Sequence, residues 1–147
     1  MSTDPKLLRS FACFHNLSDE QVNAIAQISN SVCYSKGYVL FKQDDPGDFL
    51  YLLIEGDVEV FYENAETGAH RVDTVSSEEV VGCAAMVPPY IYTATEKCLS
   101  DVEVLEIKTE ELRGLIQKDP QLGLRLQEYI IRTLNDRVLE LRRRAFA

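Results

Sequence analysis

The chain has 147 residues, of which 46% are hydrophobic and 27% are charged, as in an ordinary globular domain. This length suffices for one domain with its own core, and it holds no run of about 20 apolar residues that could span a bilayer. The net charge is −9, and residues 1–118 carry 9 Lys or Arg against 20 Asp or Glu. Because this acidic body repels phosphates, we expect no direct DNA binding.

The cysteines and histidines do not form a metal-binding pattern. The four cysteines are widely spaced and include no C-x-x-C pair: Cys13, Cys33, Cys83 and Cys98. The two histidines, His15 and His70, stand alone, so we expect no metal site. Four unpaired thiols and the lack of an apolar leader predict a cytoplasmic protein with no membrane attachment.

The first predicted element is an N-terminal helix at residues 18–29. Ser18 is followed three residues later by Gln21, the spacing of a capping box in which each side chain bonds the other residue's backbone N–H. Val22 and Ile25 then recur at helical spacing. The sequence therefore marks the start of this helix more sharply than its end.

A β-rich zone follows at residues 31–108. Short runs of β-branched, aromatic and aliphatic residues are separated by turn sequences that contain Gly, Asp and Pro. Residues 58–62 and 102–107 alternate between apolar and polar side chains, whereas 50–54 is apolar almost throughout and suits a strand covered on both faces. Many short strands with regular turns predict a sandwich or barrel.

Two C-terminal helices are predicted at residues 109–144, separated at Asp119 and Pro120 because Pro is tolerated only in the first turn of a helix. In the second helix, steps of seven, three and four residues form a heptad seam: Leu124, Ile131, Leu134, Val138 and Leu141. A second apolar stripe lies on another side: Leu126, Ile130 and Leu139. We interpret one stripe as covering the β-rich zone and the seam as meeting a protein partner. Residues 1–147 then form a single domain, without a DNA-binding domain.

Residues 37–60 resemble the cyclic-nucleotide-binding domain family. The glycine, aromatic and apolar positions of the family pattern match in register, for example at Gly37, Tyr51 and Gly56, although Asp44 stands where Gly is usual. The resemblance implies a mainly β fold with flanking helices: an antiparallel double-stranded β-helix (a jelly-roll-like β-roll) with an N-terminal helix and a long C-terminal helix. It also implies a homodimer through the C-terminal helix, or a helix folded back on its own roll. A cupin enzyme is disfavoured, since two isolated histidines cannot hold its metal.

The resemblance places a phosphate-binding cassette at residues 81–95. The candidate ligand-binding positions are Gly82, Cys83, Ala84, Ala85, Tyr92 and Thr93. Family members carry a Glu for the ribose and an Arg for the phosphate, and here Cys83 and Tyr92 stand in those places. Lys97 is a poor substitute because strand alternation puts it on the opposite face from Tyr92. Losing both charged groups costs on the order of 10³-fold in affinity.

Three interpretations of the altered cassette stay open. Tyr92 and Met86 could fill the pocket and leave a dimerising structural or interaction module, a different small molecule could bind against Tyr92, or cyclic nucleotides could still bind weakly. We expect a regulatory or sensor module that does not bind cAMP or cGMP in the usual way and whose ligand, if any, is nucleotide-like or another small molecule. No catalytic residue set is evident. For Cys83, at a helix start, we favour an inert packed thiol over an activated one.

Overall fold

The computed structural model describes residues 3–146. Eight strands form two four-stranded antiparallel sheets, and helices precede the first strand and follow the last one. The strands are β1 (Ser29–Tyr34), β2 (Val39–Phe41), β3 (Phe49–Glu55), β4 (Val58–Asn64), β5 (Gly68–Val75), β6 (Val80–Val81), β7 (Thr95–Cys98) and β8 (Val102–Lys108). The helices are α1 (Pro5–Arg9), α2 (Asp19–Gln27), α3 (Thr109–Lys118) and α4 (Pro120–Ala145), and short 3-10 turns lie at Ala12–Phe14 and Cys83–Met86. The predicted β-roll with flanking helices is confirmed.

The two sheets enclose one core, and the helices cover a second. Strand order is β1-β8-β3-β6 in one sheet and β2-β7-β4-β5 in the other. In β3, Leu52 packs with residues of the helices, whereas Leu53 belongs to the core between the sheets. In β8, Leu105 packs with residues of the helices, and Val104 belongs to the core between the sheets. Both strands are therefore buried on two faces, which explains the unbroken apolar run in β3.

The capping box at the start of α2 forms as predicted. The backbone N–H of Gln21 donates to Ser18 Oγ at 3.1 Å, and the N–H of Ser18 donates to Gln21 Oε1 at 2.9 Å. The helix ends at Gln27, however, two residues before the predicted end. Ser29 already pairs with Ile107 in the β1–β8 ladder, so the β-roll begins at 29 rather than 31. The short helix α1 was not predicted, because five residues carry too little periodicity.

The long helix α4 begins at the predicted break and has two different sides. Its first half buries Leu122, Leu126 and Ile130 against the helical core. Leu139 does not join them and is 44% exposed, because from residue 131 onward the helix lies at the surface. The second apolar stripe therefore covers the roll over only part of its predicted length.

Two glycine turns give a paired test of this fold. Gly56, between β3 and β4, has φ +96, and a Cβ there would overlap with the carbonyl oxygen of Asp101 and approach Val102 Cγ1 to 2.8 Å. Gly37 has a similar φ of +91, but a Cβ there would meet nothing. We expect Gly37→Ala to cost about 1 kcal/mol of unfolding free energy, from backbone strain alone. Gly56→Ala should cost at least about 3 kcal/mol, since overlap adds to that strain. Urea denaturation measures both, and equal losses would contradict the packing at Gly56.

Candidate ligand-binding site

The predicted cassette folds as a tight turn between β6 and β7. Gly82 adopts φ +85, which lets the chain leave β6 and enter the 3-10 turn Cys83–Met86. A Cβ on Gly47, in the β2–β3 loop, would come within 2.6 Å of Ala85 Cα, and the N–H of Gly47 donates to the Tyr90 carbonyl at 2.7 Å. This close approach fixes the cassette against the β2–β3 loop.

Tyr92 is anchored inward. It is 4% exposed, and its ring stacks on Phe41 with 3.7 Å between ring centroids. Its hydroxyl donates to the Phe49 carbonyl at 2.6 Å and accepts from the Phe49 N–H at 3.0 Å. Burial raises the pKa of Tyr92 to about 12, so the phenol is neutral at pH 7. Because its only hydroxyl hydrogen is used on Phe49, Tyr92 has no donor left for a phosphate.

A cleft of about 100 Å³ lies beside the cassette, under α4. Five of the six predicted positions line it: Gly82, Cys83, Ala84, Tyr92 and Thr93. Leu134 of the predicted seam also lines it, and the lining residues that sequence reasoning missed include Phe41, Glu96, Thr133 and Arg137. The cleft therefore combines the predicted cassette with side chains of β2, β7 and α4.

Two residues of the cassette lie away from the cleft. Ala85 does not line the cleft: it is fully buried beneath it, and its N–H donates to the Gly82 carbonyl at 3.0 Å, so that amide is not free for a phosphate. Met86 does not fill the cleft with Tyr92, because its side chain packs against the helical core. Ala85 belongs to the core between the sheets, whereas Met86 lies on the same side of the 3-10 turn as Cys83, whose side chain also packs against the helical core.

Cys83 is not activated as a thiolate. Its side chain packs against the helical core, and burial raises its pKa to about 11. At neutral pH the group is a thiol, which is much less nucleophilic than a thiolate. The inert packed thiol is thus the interpretation that the geometry supports.

Glu96 and Arg137 give the cleft its charge. Glu96 is 8% exposed, and its Oε1 has no hydrogen-bond partner among residues 3–146. Burial raises the pKa of Glu96 to about 7. The positive charge of Arg137 opposes this rise, and the negative charge of Asp73 adds to it. Arg137 pairs with Asp73 of β5 at 3.7 Å. The cleft therefore presents an unsatisfied acid and a cation that is already paired.

Two features are absent from the part of the chain that the structure describes. Residues 3–146 contain no helix with the length and hydrophobicity needed to pass through a lipid bilayer. They also bring together no group of three or more side chains that could hold a metal ion.

A β-roll with a glycine-led turn before β7 and a long C-terminal helix is the architecture of a regulatory class of domain. Residues 31–119 match the model of the cyclic nucleotide-binding domain family. The chain belongs to this family, which confirms the resemblance predicted from residues 37–60.

Individual proteins and solved structures are similar to this chain over most of its length. A protein of known structure from Geobacter metallireducens is 31% identical, with a TM-score of 0.82 over 92% of this chain and 98% of that one. The cyclic AMP receptor protein of Thermus thermophilus is 26% identical over 128 residues, which are 87% of this chain and 59% of the relative. This chain thus spans only part of that relative's length. The regulatory domain of Toxoplasma gondii PKA, solved with cAMP, has a TM-score of 0.77 at 13% identity, covers 90% of this chain and 48% of that one, and shows the fold alone.

Proposed function

We propose that this domain is a non-enzymatic regulatory sensor that does not bind cAMP or cGMP in the usual way. The observation that carries the proposal is the inward anchoring of Tyr92, which stands where the family resemblance implies an arginine. Its hydroxyl is spent on Phe49, and Cys83 offers no carboxylate to a ribose hydroxyl. A desolvated cyclic phosphate would therefore lack the cation of the cassette, and Arg137 in the same cleft is already paired with Asp73. Together with the lost ribose contact, this costs on the order of 10³-fold in affinity.

The lining of the cleft supports a different small molecule as the ligand. The residues that line it include Thr93 and Thr133, which carry hydroxyl groups, the carboxyl group of Glu96 and the stacked rings of Phe41 and Tyr92. Tyr92 narrows this space but does not close it. Free cysteines at all four positions agree with a reducing compartment, so the cytoplasm is the expected location.

Calorimetric titration tests this proposal. We expect neither cAMP nor cGMP to bind with a Kd below about 100 µM, because both charged contacts of the cassette are missing. A thermal-shift screen of other metabolites would then identify molecules that bind only the folded state and so raise its stability. Micromolar affinity for either cyclic nucleotide would overturn the proposal.

A second candidate role, as a dimerisation module, is favoured by the outer face of α4. The predicted seam is exposed along its whole length: Leu124 68%, Ile131 67%, Leu134 44%, Val138 44% and Leu141 59%. Apolar side chains at heptad spacing are the pattern that pairs helices in a coiled coil. We propose a homodimer through this seam, to which a ligand would couple because Leu134 also lines the cleft.

Sedimentation equilibrium tests the seam. We expect the natural chain to sediment at about twice its mass of 16.7 kDa, and Ile131→Lys to weaken association on the order of 100-fold, since a charge would be buried between the two helices. Asn135→Lys adds the same charge to the same helix beside the seam and serves as the matched control. A monomeric natural chain at about 100 µM, or equal effects of both lysines, would exclude this dimer.

A further inference from the structure

Glu96 is a buried carboxyl group that the fold does not satisfy. It lies in β7 between Val60 of β4 and Phe41 of β2, and 8% of it is exposed. Within residues 3–146, its Oε1 atom is the buried side-chain oxygen or nitrogen without a hydrogen-bond partner. Because burying a polar group in this way costs free energy, a position that served packing alone would favour an apolar side chain.

The titratable groups around Glu96 do not neutralise it. Arg137 of α4 lines the same cleft, but its guanidinium lies 3.7 Å from Asp73 of β5 and forms no ion pair with Glu96. Asp73 is a like charge. Cys83 and Tyr92 also face Glu96, and burial raises the pKa of both side chains, so both are neutral at pH 7. An ionised Glu96 thus lacks a direct cationic partner.

We propose that Glu96 is a ligand-recognition residue whose carboxylate accepts paired N–H hydrogen bonds from a planar amidinium- or guanidinium-type group of a small molecule in the cleft. This inference rests on the proposed function, because it assumes that the same cleft holds the ligand. A carboxylate is an acceptor with two oxygens, and it matches the two parallel N–H groups of such a cation.

The rest of the cleft suits a planar cation. The rings of Phe41 and Tyr92 both line it, and because they stack on each other with 3.7 Å between centroids, they offer a ligand an outer ring face and the ring edges, which allows stacking or cation–π contact. The net charge of −9 also raises the local concentration of cations. The acid, the aromatic rings and the overall charge thus favour the same class of ligand.

Benzamidine and benzoate provide a matched pair of probes, since they share size and shape and differ in the sign of charge. We expect benzamidine to bind the natural chain with a Kd of about 1 mM at pH 8 and benzoate to bind at least about 10-fold more weakly. Because only the ionised carboxyl group accepts both hydrogen bonds, benzamidine affinity should rise roughly 10-fold between pH 6 and pH 8. Ligand-detected NMR in buffers of constant ionic strength measures these affinities.

Two variants decide whether Glu96 is the group responsible. Glu96→Gln keeps the side-chain shape and should weaken benzamidine binding at least about 10-fold while removing its pH dependence. Glu59→Gln makes the same charge change on β4. Because Glu59 is the neighbour of the inward-facing Val60, its side chain lies on the outer face of the sheet, where it pairs with Arg71 at 3.6 Å. This control should bind benzamidine as the natural chain does.

Three results would overturn the assignment: equal losses in the two variants, benzoate binding as tightly as benzamidine, or no benzamidine binding at about 10 mM. The cAMP titration is independent of all three. Micromolar cAMP affinity would contradict the proposed function, whereas the comparison of Glu96→Gln with Glu59→Gln alone decides the role of Glu96.

Discussion

Through Glu96 alone, the unfolding free energy of this domain should fall by about 3 kcal/mol as the pH rises from about 4.5 to about 7. The ordinary pKa of the side chain is 4.5, and burial raises it to about 7 in the folded state. Between these values the folded protein keeps a proton that the unfolded chain has lost, so a rising pH favours unfolding. Below this window both states are protonated, and above it both are ionised, so the contribution changes no further.

Urea denaturation of the natural chain and of Glu96→Gln across this pH range measures the effect. The difference between their two stability profiles isolates Glu96, because every other titrating group is common to both proteins. That subtraction matters for Asp119, whose pKa is lowered by its hydrogen bond from Gln21 and which therefore loses stabilising contacts on acidification. We expect Glu96→Gln to gain stability relative to the natural chain as the pH rises, and parallel profiles would contradict a buried, unsatisfied carboxyl group.

Local signals in the sequence predict the elements of this fold where the residues act on their near neighbours. The capping box at Ser18 marks the start of α2, and Pro120 marks the start of α4, because both act within one helical turn. The end of α2 was missed because it depends on Ser29 pairing with Ile107, which is remote in sequence. Short-range chemistry thus predicts starts and breaks, whereas long-range pairing decides where elements end.

The candidate site shows the same difference between short-range signals, which the sequence reveals, and long-range packing, which it does not. The family resemblance places the cassette turn between Gly82 and Tyr92, but it gives no sign of Arg137, because the packing of α4 alone brings that side chain to the cleft. Glu96 did carry a usable signal. The alternation that puts Lys97 on the opposite face from Tyr92 also puts Glu96, four residues after Tyr92, on the same face. A charged residue on the inner face of a β-roll strand is a departure from the pattern and points to a binding role.

Restoring the two missing charges should create a cyclic-nucleotide site. In Cys83→Glu/Tyr92→Arg, we expect cAMP affinity to rise on the order of 10³-fold over the natural chain, measured by calorimetry. The carboxylate would accept from the ribose, which adds about 1.5–3 kcal/mol, and the guanidinium would fork onto the phosphate, which adds about 2–5 kcal/mol. The variant should also be less stable without ligand, because Arg cannot replace the stacking on Phe41 or the paired hydrogen bonds to Phe49.

A neutral version of the same double change separates charge from space. Cys83→Gln/Tyr92→Gln removes the tyrosine ring and opens the cleft to a similar extent, but it adds neither a carboxylate nor a cation. If the natural chain fails to bind cAMP because the charges are absent, only the Glu/Arg variant gains affinity. In that case cAMP raises the melting temperature of the Glu/Arg variant but not that of the Gln/Gln variant. If the Gln/Gln variant gains equally, Tyr92 excludes the nucleotide by its bulk against Phe41 and Gly82, and the electrostatic account of this cassette is wrong.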